Sequence, residues 1–182
     1  MKSILISIRP EWCAHILSGQ KTVEVRKTKP KINTPFKCYI YCTQLSPYNP
    51  SVPYSYPTSK CTYSSFLTSS VIGEFICDRI VHLDMDSVGV GFFEGKEYIY
   101  LDDIGWNTKL TKQEFMNYAG GKRVYGWHIS DLVIYDKPKK LSDFHRHCID
   151  SFTCELCVLN KNNHCENTGL YLTRPPQSWC YV

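Results

Sequence analysis

Gly19-Gln20-Lys21-Thr22-Val23-Glu24-Val25-Arg26 follows the apolar run Ile4-Leu5-Ile6-Ser7-Ile8 and a stretch opened by Pro10-Glu11. The apolar run reads as a buried strand, and Pro10 with Glu11 suits the first turn of a helix reaching about Ser18. Gly19 is then the expected cap, because a left-handed residue most often ends a helix. Thr22 to Arg26 alternates strictly. In a strand Val23 and Val25 therefore face the core, while Thr22, Glu24 and Arg26 share the other face as a polar row. That row is the first candidate site.

Outward from it, Phe36 to Thr43 is a second strong strand, rich in aromatic and β-favouring residues. From Gln44 to Ser70 the composition changes to four prolines, four tyrosines, eight serines and one charge, Lys60, in 27 residues. A segment of that kind is an inserted loop, either a lid or unstructured. Val71 to Leu83 returns to strand character. Thr111-Lys-Gln-Glu114 matches a capping box for a short helix ended by Gly120-Gly121. Val124 to Tyr135 is expected to form one long strand, with Gly126 marking a bulge or a close approach. Lys137-Pro-Lys-Lys140 reads as a boundary. The expected organisation is an α+β domain over 1–136, a small mixed β-barrel with short helices and the insertion at 44–70. A Cys-rich C-terminal extension over 137–182 packs on it.

With 182 residues, 43% apolar and 21% charged, the chain suffices for one well-cored domain and a small appendage. Its net charge of +4 permits anionic partners without making it a polycation. The distribution is uneven. Residues 1–37 hold eight Lys and Arg against two acidic residues, whereas 84–103 hold six acidic residues against Lys96. The basic N-terminal region points to an anion-binding face. No targeting segment or membrane span is visible, since Arg9 and Pro10 stop the first apolar run, so a cytoplasmic protein without a membrane partner is expected.

Ten cysteines in a chain of that kind imply free thiols and a metal site before disulfides. Cys38, Cys42 and Cys77 sit in apolar runs and read as small buried hydrophobes. Cys154-Glu-Leu-Cys157 is a CxxC pair that Cys148 and Cys165 could complete as a four-thiolate structural zinc, which would help the polar stretch 141–170 to fold. Free thiols are the competing reading. No phosphate loop, dinucleotide fingerprint or internal repeat appears, and no organic cofactor is expected.

The row Gly19-Gln-Lys21-Thr-Val-Glu24-Val-Arg26 resembles the GxKxxExR signature of the ASCH domain, a branch of the PUA-like superfamily. Ser7-Ile-Arg9-Pro10, Trp12 and Ile16-Leu17-Ser18-Gly19 resemble its lead-in, and Tyr125-Gly-Trp127-His-Ile129 resembles its closing strand. The ending Leu172-Thr-Arg-Pro-Pro-Gln-Ser-Trp-Cys-Tyr-Val182 looks like that of a subgroup carried by phages and prophages. The resemblance implies a PUA-like barrel with a cleft beside the GxKxxExR strand, used to bind RNA or nucleotides. Related small proteins hydrolyse the amide of 4-acetylcytidine with a lysine, a threonine and a glutamate, and one relative is similar to a ribonuclease. The lysine maps onto Lys21. Glu24 stands where the threonine is expected, Thr22 is near but not equivalent, and the glutamate could be Asp102, Asp103 or Glu114.

Read by their chemistry, Lys21 offers an ammonium for a phosphate or, if desolvated, a base. Glu24 and Arg26 present an acceptor and a forked donor to a base edge or phosphate, against the alternative of a structural ion pair. Arg9 could project into the same cleft. Trp12, Trp127, Trp179 and the loop tyrosines Tyr48, Tyr54 and Tyr56 offer stacking surface, with Trp127 more naturally core. Arg174, Gln177 and Ser178 offer polar groups beside Trp179. Three functions follow: a module binding RNA, single-stranded nucleic acid or a modified nucleotide; a hydrolase of a nucleoside amide or RNA phosphodiester with Lys21 as base and Glu24 as a further catalytic residue; or a phage protein that sequesters a host protein or nucleotide signal.

Overall fold

The computed structural model describes residues 3–44, 68–86, 88–93, 95–101, 106–146 and 168–182. The chain is mostly β, with two short helices among the described residues. The order is β1 (Ile4–Ile8), α1 (Pro10–Leu17), β2 (Val23–Arg26), β3 (Phe36–Cys42), β4 (Ser70–Cys77) and β5 (Ile80–Leu83). There follow β6 (Gly89–Phe93), β7 (Lys96–Leu101), β8 (Trp106–Thr111), α2 (Lys112–Ala119), β9 (Val124–His128), β10 (Ser130–Lys139) and β11 (Trp179–Tyr181).

The strands form three sheets, β10-β4-β3-β1-β11, β2-β9-β5 and β6-β7-β8, rather than the one closed barrel that the strand pattern suggested. Among the described strands only β1 and β3 pair in parallel, because α1 and β2 lie between them in the chain and carry it back to the same end. On the first sheet Ile4, Ile6 and Ile8 face the main core with Cys38, Ile40, Ile72, Phe75 and Cys77, while Leu5 and Tyr41 join Phe144 and Leu172 on the outer face. The cysteines expected as buried hydrophobes are therefore in the core. Cys13 and Ile16 of α1 and Trp127 of β9 close it from the other side. A second core joins Val25, Leu83 and Val124 to Ile99, Leu110 and the α2 residues Phe115 and Ala119.

Two apolar runs that read as single strands are each divided in two. Val71 to Leu83 breaks at Asp78-Arg79 and Val124 to Tyr135 breaks at Ile129, and at each break the chain passes from one sheet to another. The breaks meet in space: His128 Nδ1 lies 2.6 Å from Asp78 Oδ1, and the His128 amide donates to the Arg79 carbonyl at 3.0 Å. Asp131, with φ of 46°, lies at the register shift between Ser130 and Val133 where β10 begins. Apolar residues resume directly after the polar pairs Asp78-Arg79 and Ser130-Asp131, so each stretch reads as one strand although the chain turns a corner there.

The local signals hold. Gly19 has φ of 71° after a helix ended at Ser18, and the Thr111–Glu114 capping box is formed in both directions. Gly126 is a close approach, since a Cβ there would lie 2.9 Å from both Leu83 Cδ1 and Val23 Cγ1. β10 continues to Lys139, and β11 lies against β1 at the edge of the first sheet, so the described part of 137–182 shares main-chain hydrogen bonds with the rest of the fold. The Gln44–Ser70 insertion lies, between residues 45 and 67, outside the described residues. No helix among the described residues is long and apolar enough to cross a membrane.

Candidate functional site

The polar row on β2 points inward. Val25 joins the second core and Val23 is fully buried, as expected, but Glu24 and Arg26 on the other face are buried too, only 5% and 8% exposed. The reason lies in the pairing: β2 is an edge strand of a sheet that has packing on both faces, so neither side of the alternation reaches water. Lys21, just before the strand, is 3% exposed.

These three residues form one ion network. Glu24 Oε2 is 3.4 Å from Lys21 Nζ and Glu24 Oε1 is 2.9 Å from an Arg26 terminal nitrogen. Lys21 also donates to the Thr108 carbonyl at 2.6 Å, and its ammonium lies 5.3 Å from the centre of the Trp12 ring. Arg26 donates to the Ser7 carbonyl at 2.6 Å and reaches Ser178 Oγ at 3.4 Å, whereas its Nε has no acceptor among the described residues. Burial lowers the Lys21 pKa below its ordinary value, with Glu24 opposing that shift.

Local structure explains why the Thr108 carbonyl is available. In the β7–β8 ladder, Tyr98 pairs with Thr111 and Tyr100 with Asn107, so Ile99 alone is opposed to Thr108, Lys109 and Leu110. Lys109 sits at φ of 58°, and its amide donates to the Asn107 side chain at 2.7 Å. A bulge of that kind re-aims the backbone, and here the Thr108 carbonyl meets Lys21. Thr22 is committed to the same junction, accepting from the Asn107 amide at 2.9 Å through its hydroxyl and donating its own amide to the Asn107 carbonyl.

Of the residues singled out from the sequence, Trp12, Lys21, Glu24 and Arg26 come together, and Thr22 holds the junction beside them. Arg9 does not join them: its side chain is 77% exposed and lies 3.8 Å from Glu11. Arg174 and Gln177 are exposed, and the tail meets Arg26 through Ser178 instead. Trp127 is fully buried, as core. Glu114 is exposed and occupied by the α2 cap. Asp102, Asp103, Tyr48, Tyr54, Tyr56 and the cysteines 148, 154, 157 and 165 lie outside the described residues. Among the described residues no group of three or more metal-ligating side chains gathers.

Sequence reasoning missed the Thr108 carbonyl, a main-chain group with no side-chain signature, and two tyrosines beside the end of β2. Lys27 Nζ lies 5.2 Å from the Tyr118 ring centre and Lys29 Nζ 5.8 Å from that of Tyr125. The basic composition of residues 1–37 was the available signal; the tyrosines, some 90 residues later, gave none.

No protein-family model matches the chain, and no curated protein matches it. Solved structures do. The ASCH protein of Zymomonas mobilis is similar at a TM-score of 0.55 and 21% identity, covering 99% of this chain and 87% of that one. Its tyrosine-to-phenylalanine variant gives 0.56 and 21% over 100% of this chain and 91% of that one. The likeness shows that the chain has the fold of that ASCH protein.

Proposed function

We propose that this chain is a module for binding RNA, single-stranded nucleic acid or a modified nucleotide, with Lys21, Glu24 and Arg26 at the base of its cleft. The observation that carries this reading is the imbalance of the buried triad: two cations surround one carboxylate, and the Arg26 Nε–H lacks an acceptor among the described residues. Buried charges and donors are ordinarily matched. A phosphate or base-carbonyl oxygen supplied by a ligand would match them, and the forked guanidinium suits either. Trp12, stacked over Lys21, adds an aromatic surface at the same place.

The same proposal includes membership of the ASCH branch in its phage-type subgroup and a structural zinc held by Cys148, Cys154, Cys157 and Cys165. Native mass spectrometry of protein purified without added metal tests the zinc: one retained zinc supports it, and a metal-free chain under gentle conditions counts against it.

Binding itself is tested with a labelled ten-residue uridine RNA and with 5′-UMP, titrated against the unmodified protein and Arg26→Lys. That variant keeps the charge and loses the Nε donor and the fork. The expected result is binding by the unmodified protein and weakening of at least about tenfold in the variant, the loss of about 1.4 kcal/mol. Absence of binding to either probe at low salt overturns the reading.

One observation favours a second reading, hydrolysis of a nucleoside amide or RNA phosphodiester: Lys21 is desolvated, and burial brings its pKa toward the range of a general base. Lys21→Ala separates the two. Turnover lost with affinity retained means an enzyme, and affinity lost means a module.

A further inference from the structure

We infer that the surface just beyond β2 is a track for single-stranded nucleic acid, built from Lys27 with Tyr118 and Lys29 with Tyr125 and His82. This rests on the nucleic-acid reading above and adds a second, exposed contact region to its buried one. Four observations carry it.

Lys27 and Lys29 are exposed, and neither has a carboxylate partner among the described residues. Each instead stands over a half-buried tyrosine, at 5.2 Å for Lys27 over Tyr118 and 5.8 Å for Lys29 over Tyr125. A cation beside a π face is the pairing that sequence-tolerant recognition of single strands uses, the ring taking a base and the cation its phosphate. The two units recur at a step of two residues, which spans at most about 7 Å of chain.

The second observation is a third ring. His82 is exposed, pairs with Tyr125 across the β5–β9 ladder, and its ring centre lies 4.9 Å from that of Tyr125. The third is that the lysine segment is held from behind: Trp179 Nε1 donates to Thr28 Oγ1 at 3.1 Å and the Lys31 amide donates to the Tyr181 hydroxyl at 2.7 Å. Pinning the backbone on the side of β11 reduces the ordering cost of presenting the lysines. The fourth is continuity with the buried site. Arg26, whose Nε is unmatched, is the residue before Lys27 and the register partner of Tyr125. A strand following Lys29 and Lys27 arrives at Arg26.

The experiment compares the unmodified protein with Lys27→Glu/Lys29→Glu and with Tyr125→Leu. The probes are the labelled ten-residue uridine RNA, its deoxy counterpart and 5′-UMP, at low and moderate salt. Circular dichroism checks the fold, and the exposed lysine pair is not expected to alter it. The expected result is that the charge reversal weakens both ten-residue probes by at least about tenfold and removes roughly two phosphate contacts from the salt slope. Binding of 5′-UMP stays within about twofold of the unmodified protein. Tyr125→Leu should weaken the long probes by roughly 5- to 150-fold, the effect of one lost base stack. Unchanged affinity for the long probes in the lysine variant overturns the track while leaving the buried site standing. Failure of the unmodified protein to bind any probe overturns both.

Discussion

Glu24 and Trp127 are direct partners across the β2–β9 ladder, so a carboxylate and a fully buried indole stand side by side on one face. The indole N–H nevertheless has no acceptor among the described residues. Both carboxylate oxygens are directed at cations instead, one at Lys21 and one at Arg26. An ion network in a core of isoleucine, cysteine and aromatic side chains is a poor way to gain stability, because desolvation offsets most of the attraction. Its position fits the proposed reading, in which its donors are held ready for a ligand.

Glu24→Gln separates these two roles on the side of stability. The variant leaves Lys21 and Arg26 buried with no counter-charge, and breaking a buried network from one side costs about 3–5 kcal/mol. Urea unfolding should show that loss as a lower midpoint with little change in slope. The apolar triple replacement Lys21→Met/Glu24→Leu/Arg26→Met should instead be neutral or stabilising by up to about 4 kcal/mol, and should abolish ligand binding. A triple variant that unfolds as readily as Glu24→Gln would mean the network is structural.

The glycines predict a ranking. At Gly126 an added methyl meets Leu83, Val23 and Val81 side chains at 2.9, 2.9 and 3.2 Å, so Gly126→Ala should cost about 1–3 kcal/mol of overpacking. At Gly73 the added Cβ would lie 2.5 Å from the Val133 carbonyl oxygen, which belongs to a paired strand. Backbone yields less than a side chain. Thermal unfolding should therefore place Gly73→Ala below Gly126→Ala, and both below the unmodified protein by at least about 2 °C.

What the sequence made legible is what short-range physics decides. Alternation over Thr22 to Arg26, the Gly19 cap, the Thr111–Glu114 box and the buried Ile4–Ile8 strand depend on neighbours within one turn or one strand. The corners at Asp78 and Ile129 depend on which sheet a strand joins, and an apolar run looks the same in either. The hairpins β6 to β8 begin in a stretch, 84–103, of which only the acidic charge stood out in the sequence. At the site, Lys21, Glu24 and Arg26 were legible by type and spacing, but their burial was not. Alternation assigns two faces without saying whether the second meets water, and here α1, β1 and β3 cover it.

On the outer face, Glu74 accepts from Lys37 Nζ at 2.6 Å and from the Tyr135 hydroxyl. Burial alone would raise the Glu74 pKa, but those two hydrogen bonds and the charges of Lys37 and Lys139 outweigh it and leave the carboxyl below its ordinary 4.5. A depressed carboxylate adds stability above its unfolded pKa and loses it as pH falls through the folded one. Acid titration of the unmodified protein and Glu74→Gln should thus show a stability difference that is constant above about pH 4.5 and shrinks below it. A difference that grows on acidification would contradict the pairing.

The alkaline limb contains two opposed effects, and their separation tests the burial of Lys21. Burial raises the thiols of Cys13, Cys38 and Cys180 above the ordinary 9.0 and pushes Cys77 to about 12. The unfolded chain then releases protons that the folded one keeps, so stability falls as pH rises above about 9. Lys21 acts the other way. Its folded pKa lies below the ordinary 10.5, chiefly through burial, so in the interval just below 10.5 the unfolded chain binds more protons and stability rises with pH. Lys37, raised by its hydrogen bond to Glu74 against a smaller burial effect, loses its contribution only above 10.5 and leaves that interval clear. Subtracting the unfolding free energy of Lys21→Met cancels the thiols, which both proteins share. The difference should climb toward pH 10.5 and then level. A flat difference would mean that Lys21 titrates as it does in water, and that its ammonium is not held away from solvent between Thr108, Glu24 and Trp12.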